Sequence, residues 1–185
     1  MVRRCLLVWL AWMLPAWAQQ AAKPLVIVLI GPPGSGKTTQ AAFLNRRYKL
    51  PVIARDHLAK IAPTAIDTAL RTGVRELEHR RGFVLDGYPA TRAEADYLAA
   101  LVKELKLPDP LVIQLDVPDE EVRARLKKRG LPEDTPAKVE AGLARYKSEL
   151  SLVRSYYPKA DIWTIDGTRA PSGVSATIES LIAGR

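Results

Sequence analysis

Cysteine is nearly absent from this chain: there is one in 185 residues, Cys5. A single thiol forms no internal disulfide and no cysteine-based metal site, so a disulfide-stapled scaffold is excluded. Histidine is scarce too, with only His57 and His79, and neither sits at metal-ligand spacing from a partner. Both read as structural or surface residues. Aromatic residues make up only 6% of the chain and offer no stacking platform beside the basic residues, so nucleic acid is not expected as a partner. Acidic residues are scattered, without the paired carboxylates of glycosidic or proteolytic chemistry. Internal repeats and low-complexity tracts are missing as well.

What is present is globular. The chain is 48% hydrophobic and 26% charged, which argues against a disordered or collagen-like chain. Its length suits one domain with a sizeable core. The formal charge of +8 is spread along segments that also carry Asp and Glu. We read it as solubility plus attraction for phosphorylated ligands.

Residues 1–18 (MVRRCLLVWLAWMLPAWA) stand apart. Arg3 and Arg4 precede an uncharged apolar run, Pro15 breaks it, and Ala16-Trp17-Ala18 supplies a small-x-small cleavage site. That order is a secretory signal peptide, too short for a comfortable membrane span. Cleavage after Ala18 removes two arginines and the one cysteine, leaving 167 residues at +6. The expected location is secreted or periplasmic, with no stable membrane association after cleavage. The alternative is a cytoplasmic protein whose N-terminal segment is not a working signal.

Over residues 19–185 short apolar runs alternate with amphipathic stretches, the pattern of an α/β fold with a doubly wound, five-stranded parallel sheet. Leu25–Ile30 (LVIVLI) is continuous and rich in β-branched residues, hence a buried central strand. Val52–Ile53, Phe83–Leu85, Leu111–Val117 and Ile162–Ile165 are the other strand candidates. Helices are predicted at about 37–48, 66–80, 91–106, 119–129, 136–157 and 172–183. Thr91-x-x-Glu94 has capping-box spacing, and Thr135-Pro136 is an N-cap followed by an N1 proline.

Between the buried strand and its helix lies Gly31-Pro32-Pro33-Gly34-Ser35-Gly36-Lys37-Thr38-Thr39, which fits G-x-x-x-x-G-K-[ST]. Glycines let successive backbone N–H groups turn inward around phosphate oxygens, and the helix N-terminus adds partial positive charge. Lys37 is expected to reach the β- and γ-phosphates, and the Thr38 hydroxyl to ligate Mg²⁺. These nine residues predict binding of a nucleoside triphosphate.

Four segments carry a family resemblance: GPPGSGKTTQA (Gly31–Ala41), LDGYPATRAEA (Leu85–Ala95), VIQLDVPDEEVRARLKKR (Val112–Arg129) and IDGT (Ile165–Thr168). In this order they resemble adenylate kinases and related nucleoside monophosphate kinases. The resemblance implies an ATP-binding core, a flap at about 55–81 and a short lid at about 129–136. It implies a catalytic set of Lys37, Arg125 and Arg129, the two arginines clamping phosphates from the lid hinge. Arg123, Lys127 and Lys128 are adjacent, so without the motif the two arginines would read as part of a solvated basic face; with it the clamp is the favoured reading. By the same resemblance Gly167 and Thr168 lie near the adenine ring, and Asp86 orients Mg²⁺ through water. Asp56 is a second carboxylate near the phosphates. The implied ligands are ATP and Mg²⁺, the implied partners small-molecule nucleotides, and a monomer is expected. The reaction would be in-line phosphoryl transfer, driven by positioning and charge neutralisation.

The departures gather on the acceptor side. The family's arginine positions fall on Ala59, Ala90, Leu131 and Gly142, and its adenine-reading glutamine on Glu94. The flap is short. Acceptor contacts are assigned to Asp56, Asp86, Arg92 and Glu94. Arg55, Lys60, Arg71, Arg92 and Arg145 are candidate replacement cations, each also readable as a solvated surface charge. Glu94 is also readable as the partner of Thr91 in the capping box. Two functions stay open: an active nucleoside monophosphate kinase or a related small-molecule kinase whose acceptor is not AMP, or an ATP-binding module of the same fold that transfers phosphate weakly and has a binding or regulatory role.

Overall fold

The computed structural model describes residues 24–55, 68, 82–157 and 162–184. The signal-like segment, Asp56, His57, Ala59, Lys60, Arg71, His79 and the helix expected at 66–80 (residue 68 apart) lie outside the described residues.

Five parallel strands form one sheet: β1 (Leu25–Ile30), β2 (Val52–Ala54), β3 (Gly82–Asp86), β4 (Leu111–Asp116) and β5 (Ile162–Asp166). Their spatial order is β2-β3-β1-β4-β5. Among the described residues the helices are α1 (Lys37–Tyr48), α2 (Arg92–Glu104), α3 (Asp119–Arg129), α4 (Pro136–Tyr156) and α5 (Pro171–Ala183). This is the α/β doubly wound class the alternating pattern predicted.

The two faces of the sheet follow from strand alternation. Val26, Val28 and Ile30 join Phe83, Leu85 and Val112 under α2 and α4, which contribute Leu98, Leu101 and Val153. The intervening Ile27 and Leu29 join Ile113 and Leu115 under α1 and α5, through Leu44, Val174 and Ile178. A strand buried on both sides has no polar face, which is why LVIVLI is unbroken. The two edge strands are less covered: Trp163 of β5 remains 42% exposed and Val52 of β2 36%.

Element ends have local causes. Thr91 Oγ1 accepts from the Glu94 amide at 3.2 Å, and the Glu94 carboxylate accepts back from the Thr91 amide at 3.3 Å, so the capping box forms. Lys106 turns to φ 53°, beyond the helical region, and α2 stops at Glu104, short of the expected 106. β4 stops at Asp116 rather than Val117, with Pro118 following as the residue that caps α3. Thr135 caps α4 through the Lys138 amide at 3.4 Å, with Pro136 at the first helical position.

The topology fixes where a ligand can sit. From β1 the chain turns outward to β2, whereas from β3 it crosses over β1 to reach β4. That reversal opens a crevice at the carboxyl end of β1, the usual ligand position in an open parallel sheet.

Candidate functional site

Residues 31–36 leave β1 and wrap the N-terminus of α1. Gly34 and Gly36 take φ of 71° and 94°, values at which a side chain would be strained. Lys37 folds back over this loop, its Nζ donating to the Gly31 carbonyl at 2.8 Å and the Pro32 carbonyl at 3.0 Å. Thr38 Oγ1 donates to Asp86 Oδ2 at 3.0 Å, joining α1 to the end of β3. Asp86 is buried. Thr39, one residue on, is exposed. Ser35 Oγ is buried within the loop without a hydrogen-bond partner.

A cavity of about 390 Å³ opens at this point. Gly31, Lys37, Thr38 and Asp86 form its floor. Ala54, Gly87 and Pro89 line one wall, and Arg129, Gly142, Arg145, Tyr146 and Glu149 line another. Tyr146 is anchored by Gln114 Nε2, which donates to its hydroxyl at 3.2 Å, and burial pushes its phenol pKa up.

The two arginines of α3 part company. Arg129 faces the cavity but grips Asp134 in a two-pronged pair, with Nε to Oδ2 at 2.7 Å. Arg125 lies outside the cavity lining. It pairs with Glu121 at 2.7 Å and donates to the carbonyls of Gly167 at 2.9 Å and Gly34 at 3.4 Å. It therefore ties the phosphate loop to the segment after β5. Thr168 is held there by Asp166, whose carboxylate accepts from the Thr168 amide at 2.9 Å and hydroxyl at 2.6 Å. The hydroxyl bond holds the Asp166 pKa below its ordinary value.

The acceptor candidates divide as well. Glu94 is engaged in the capping box and in an ion pair with Arg55 at 3.3 Å, and Ala90 donates its amide to it at 2.6 Å. Arg92 leans on the Tyr156 ring, 5.0 Å from its centroid, and pairs loosely with Asp96, outside the cavity lining. Of the described replacement cations Arg145 alone lines the cavity, where it pairs with Glu149 at 3.4 Å. Glu149 was not singled out by its sequence position. Its i, i+4 spacing from Arg145 on a helix was the available signal.

The family's arginine position on α4 is filled by backbone contact. A Cβ built on Gly142 would stand 2.7 Å from Pro33 Cγ, so α4 presses directly on the phosphate loop. Nothing larger than hydrogen fits without displacing one of them.

Between α3 and α4 only residues 130–135 intervene. Arg129 holds the Asp134 pKa below the usual carboxylate range, chiefly by hydrogen bonding. A depressed folded-state pKa means that the pair's stabilisation is complete above the unfolded value, about 3.9 for Asp. It is lost as pH falls through the lower folded value. Asp134→Asn should therefore destabilise the protein at pH 7, and that difference should vanish towards pH 2. Urea denaturation of both proteins across this range checks it.

A family model described as an AAA domain matches residues 26–152. A protein named adenylate kinase from Mycolicibacterium vanbaalenii is 31% identical over 162 residues, spanning 76% of this chain and 89% of the relative. One of the same name from Stenotrophomonas maltophilia is 29% identical over 183 residues, covering 84% and 98%. Another from Chelativorans is 29% identical over 190 residues, covering 85% and 98%.

Proposed function

Because the chain belongs to the adenylate kinase family of P-loop nucleotide kinases, we propose that it moves the γ-phosphate of ATP to a small acceptor, a nucleoside monophosphate or a related compound, and that AMP is a poor one. The observation that carries this reading is convergence. Lys37, the Thr38–Asp86 pair and Arg129 meet in one cavity at the switch point of the sheet. The unsatisfied Ser35 hydroxyl lies in the loop beside them.

Each group has a role suited to phosphoryl transfer. Lys37 neutralises charge on the β- and γ-phosphates, and the loop amides cradle them. Arg129 would release Asp134 and turn to the transferring group. Arg125 holds the phosphate loop against Gly167 and Thr168, where the base would sit. Mg²⁺ suits the Thr38 hydroxyl and Asp86 carboxylate, hard oxygen donors 3.0 Å apart, with Asp86 acting through water. When bound it would supply positive charge to the phosphate oxygens.

A second reading, an ATP-binding module with weak transfer, draws on the pairing of Arg125 with Glu121 and of Arg129 with Asp134. A coupled assay of residues 19–185 with ATP-Mg²⁺ against a panel of nucleoside monophosphates tests both. Turnover of any acceptor above the ATPase background supports the kinase. ATP binding without transfer supports the module.

We further propose that residues 1–18 direct export and are removed. Mass spectrometry of protein from its native host should then find Gln19 at the N-terminus. Intact Met1 in a cytoplasmic fraction overturns export.

A further inference from the structure

α1 and α5 pack through Ala41, Leu44, Val174 and Ile178, yet one amide is buried between them. Gln40 is only 2% exposed. Its Nε2 donates to the Pro171 carbonyl at 3.0 Å, and its Oε1 accepts from Ser175 Oγ at 2.8 Å. A carbonyl can only accept, so Pro171 fixes which way the amide points, and Ser175 must donate to its other end. A buried amide adds little net stability over apolar packing. What it adds is direction, because both partners must stay in place to satisfy it. The two bonds therefore pin the start of α5 to the first turn of α1.

Each of these turns leads to one half of the nucleotide site. Lys37 and Thr38 lie within three residues of Gln40, and Gly167 and Thr168 within four of Pro171. Arg125 makes a separate tie between the same two halves, through the carbonyls of Gly34 and Gly167. Gly167 itself runs close to the loop, where an added Cβ would stand 3.5 Å from the Ser35 carbonyl oxygen. We propose that Gln40 is a positioning residue for the donor nucleotide: it sets the span between the phosphate loop and Gly167–Thr168, and so the fit of the base once the phosphates are held. The proposal rests on the ATP-binding reading above and deepens it. Gln40 acts through α5, from outside the cavity lining. A ligand gripped at two points binds well only when the distance between the grips matches its own length. One gripped at the loop alone is indifferent to where α5 begins.

The test is calorimetry on the mature protein with two probes, ATP and inorganic tripolyphosphate, each offered with Mg²⁺. ATP spans both grips and tripolyphosphate only the first, so in wild type ATP should bind the more tightly. Gln40→Met keeps an unbranched stem and loses both hydrogen bonds. It should weaken ATP about tenfold and leave tripolyphosphate within about twofold of wild type. Gln40→Leu repeats the loss with a different shape, so a folding failure of one variant leaves the other to decide. Ser175→Ala keeps the Pro171 bond, and its ATP affinity should fall between wild type and Gln40→Met. Equal weakening of ATP and tripolyphosphate would mark general damage to the loop and overturn the proposal, as would unchanged ATP affinity in Gln40→Met. Wild type that binds tripolyphosphate as tightly as ATP overturns it too. Wild type that binds neither probe would instead strike the ATP-binding reading itself, so the two failures are distinct.

Discussion

Lys37→Ala should remove tight ATP binding and lower any turnover by about two to three orders of magnitude. The ammonium holds the Gly31 and Pro32 carbonyls at 2.8 and 3.0 Å. Donors fixed at the loop mouth need little reorganisation to meet a phosphate. Without Lys37 a buried phosphate oxygen loses a charge-assisted partner, about 1.5–3 kcal/mol for each contact. That corresponds to roughly ten- to a hundredfold in affinity per contact. The substitution also frees two carbonyls, so part of the loss could come from a loosened loop. Lys37→Met keeps the apolar stem without the charge and isolates the electrostatic part. Calorimetry with ATP and a thermal melt of each variant check the result. Unchanged ATP affinity with intact turnover would remove the phosphate-loop reading altogether.

Local signals and distant contacts were unequally legible. Gly31–Thr39 could be read because its chemistry is contiguous, strand before and helix after. The unbroken LVIVLI run gave the central strand, and alternation within it placed the two helical layers. Thr91 and Glu94, three apart, gave the capping box, and that same pairing takes up the carboxylate once assigned to the acceptor. Sequence spacing set Arg125 and Arg129 on one face of α3. It could not show that the first turns to backbone carbonyls 42 and 91 residues away while the second meets Asp134. Nor could it show that Gly142 packs on Pro33, more than a hundred residues earlier. At that level an absent arginine looks like a vacancy, whereas the fold has already filled the space. Arg92 and Arg145 were equal as replacement cations until the packing of α2 sent Arg92 to Tyr156.

That filled space bears on the acceptor. A phosphate held between elements needs several bidentate donors, which arginine supplies and alanine, leucine and glycine do not. With Ala59, Ala90, Leu131 and Gly142 at the family's arginine positions, AMP should bind weakly to the mature protein. Losing two charge-assisted contacts, at about 1.5–3 kcal/mol each, weakens binding by roughly two to four orders of magnitude. Ala90→Arg should recover only part of the deficit. Ala90 is partly buried, its amide is committed to Glu94, and the other three positions stay empty. Gly142→Arg should recover nothing. Its Cβ would start 2.7 Å from Pro33, so α4 or the phosphate loop must shift. Overpacking of this kind costs about 1–3 kcal/mol and would fall on the nucleotide site, weakening ATP about tenfold or more. The pair of substitutions separates two explanations of poor AMP use, missing charge and missing room. Calorimetric ATP affinity and steady-state AMP kinetics on each variant decide it. Ordinary adenylate-kinase turnover of AMP by the unmodified protein would refute the expectation, and Arg145 would be the first side chain to test for the vacant role. AMP use gained by Gly142→Arg with ATP affinity intact would show that α4 moves away from Pro33 during the reaction.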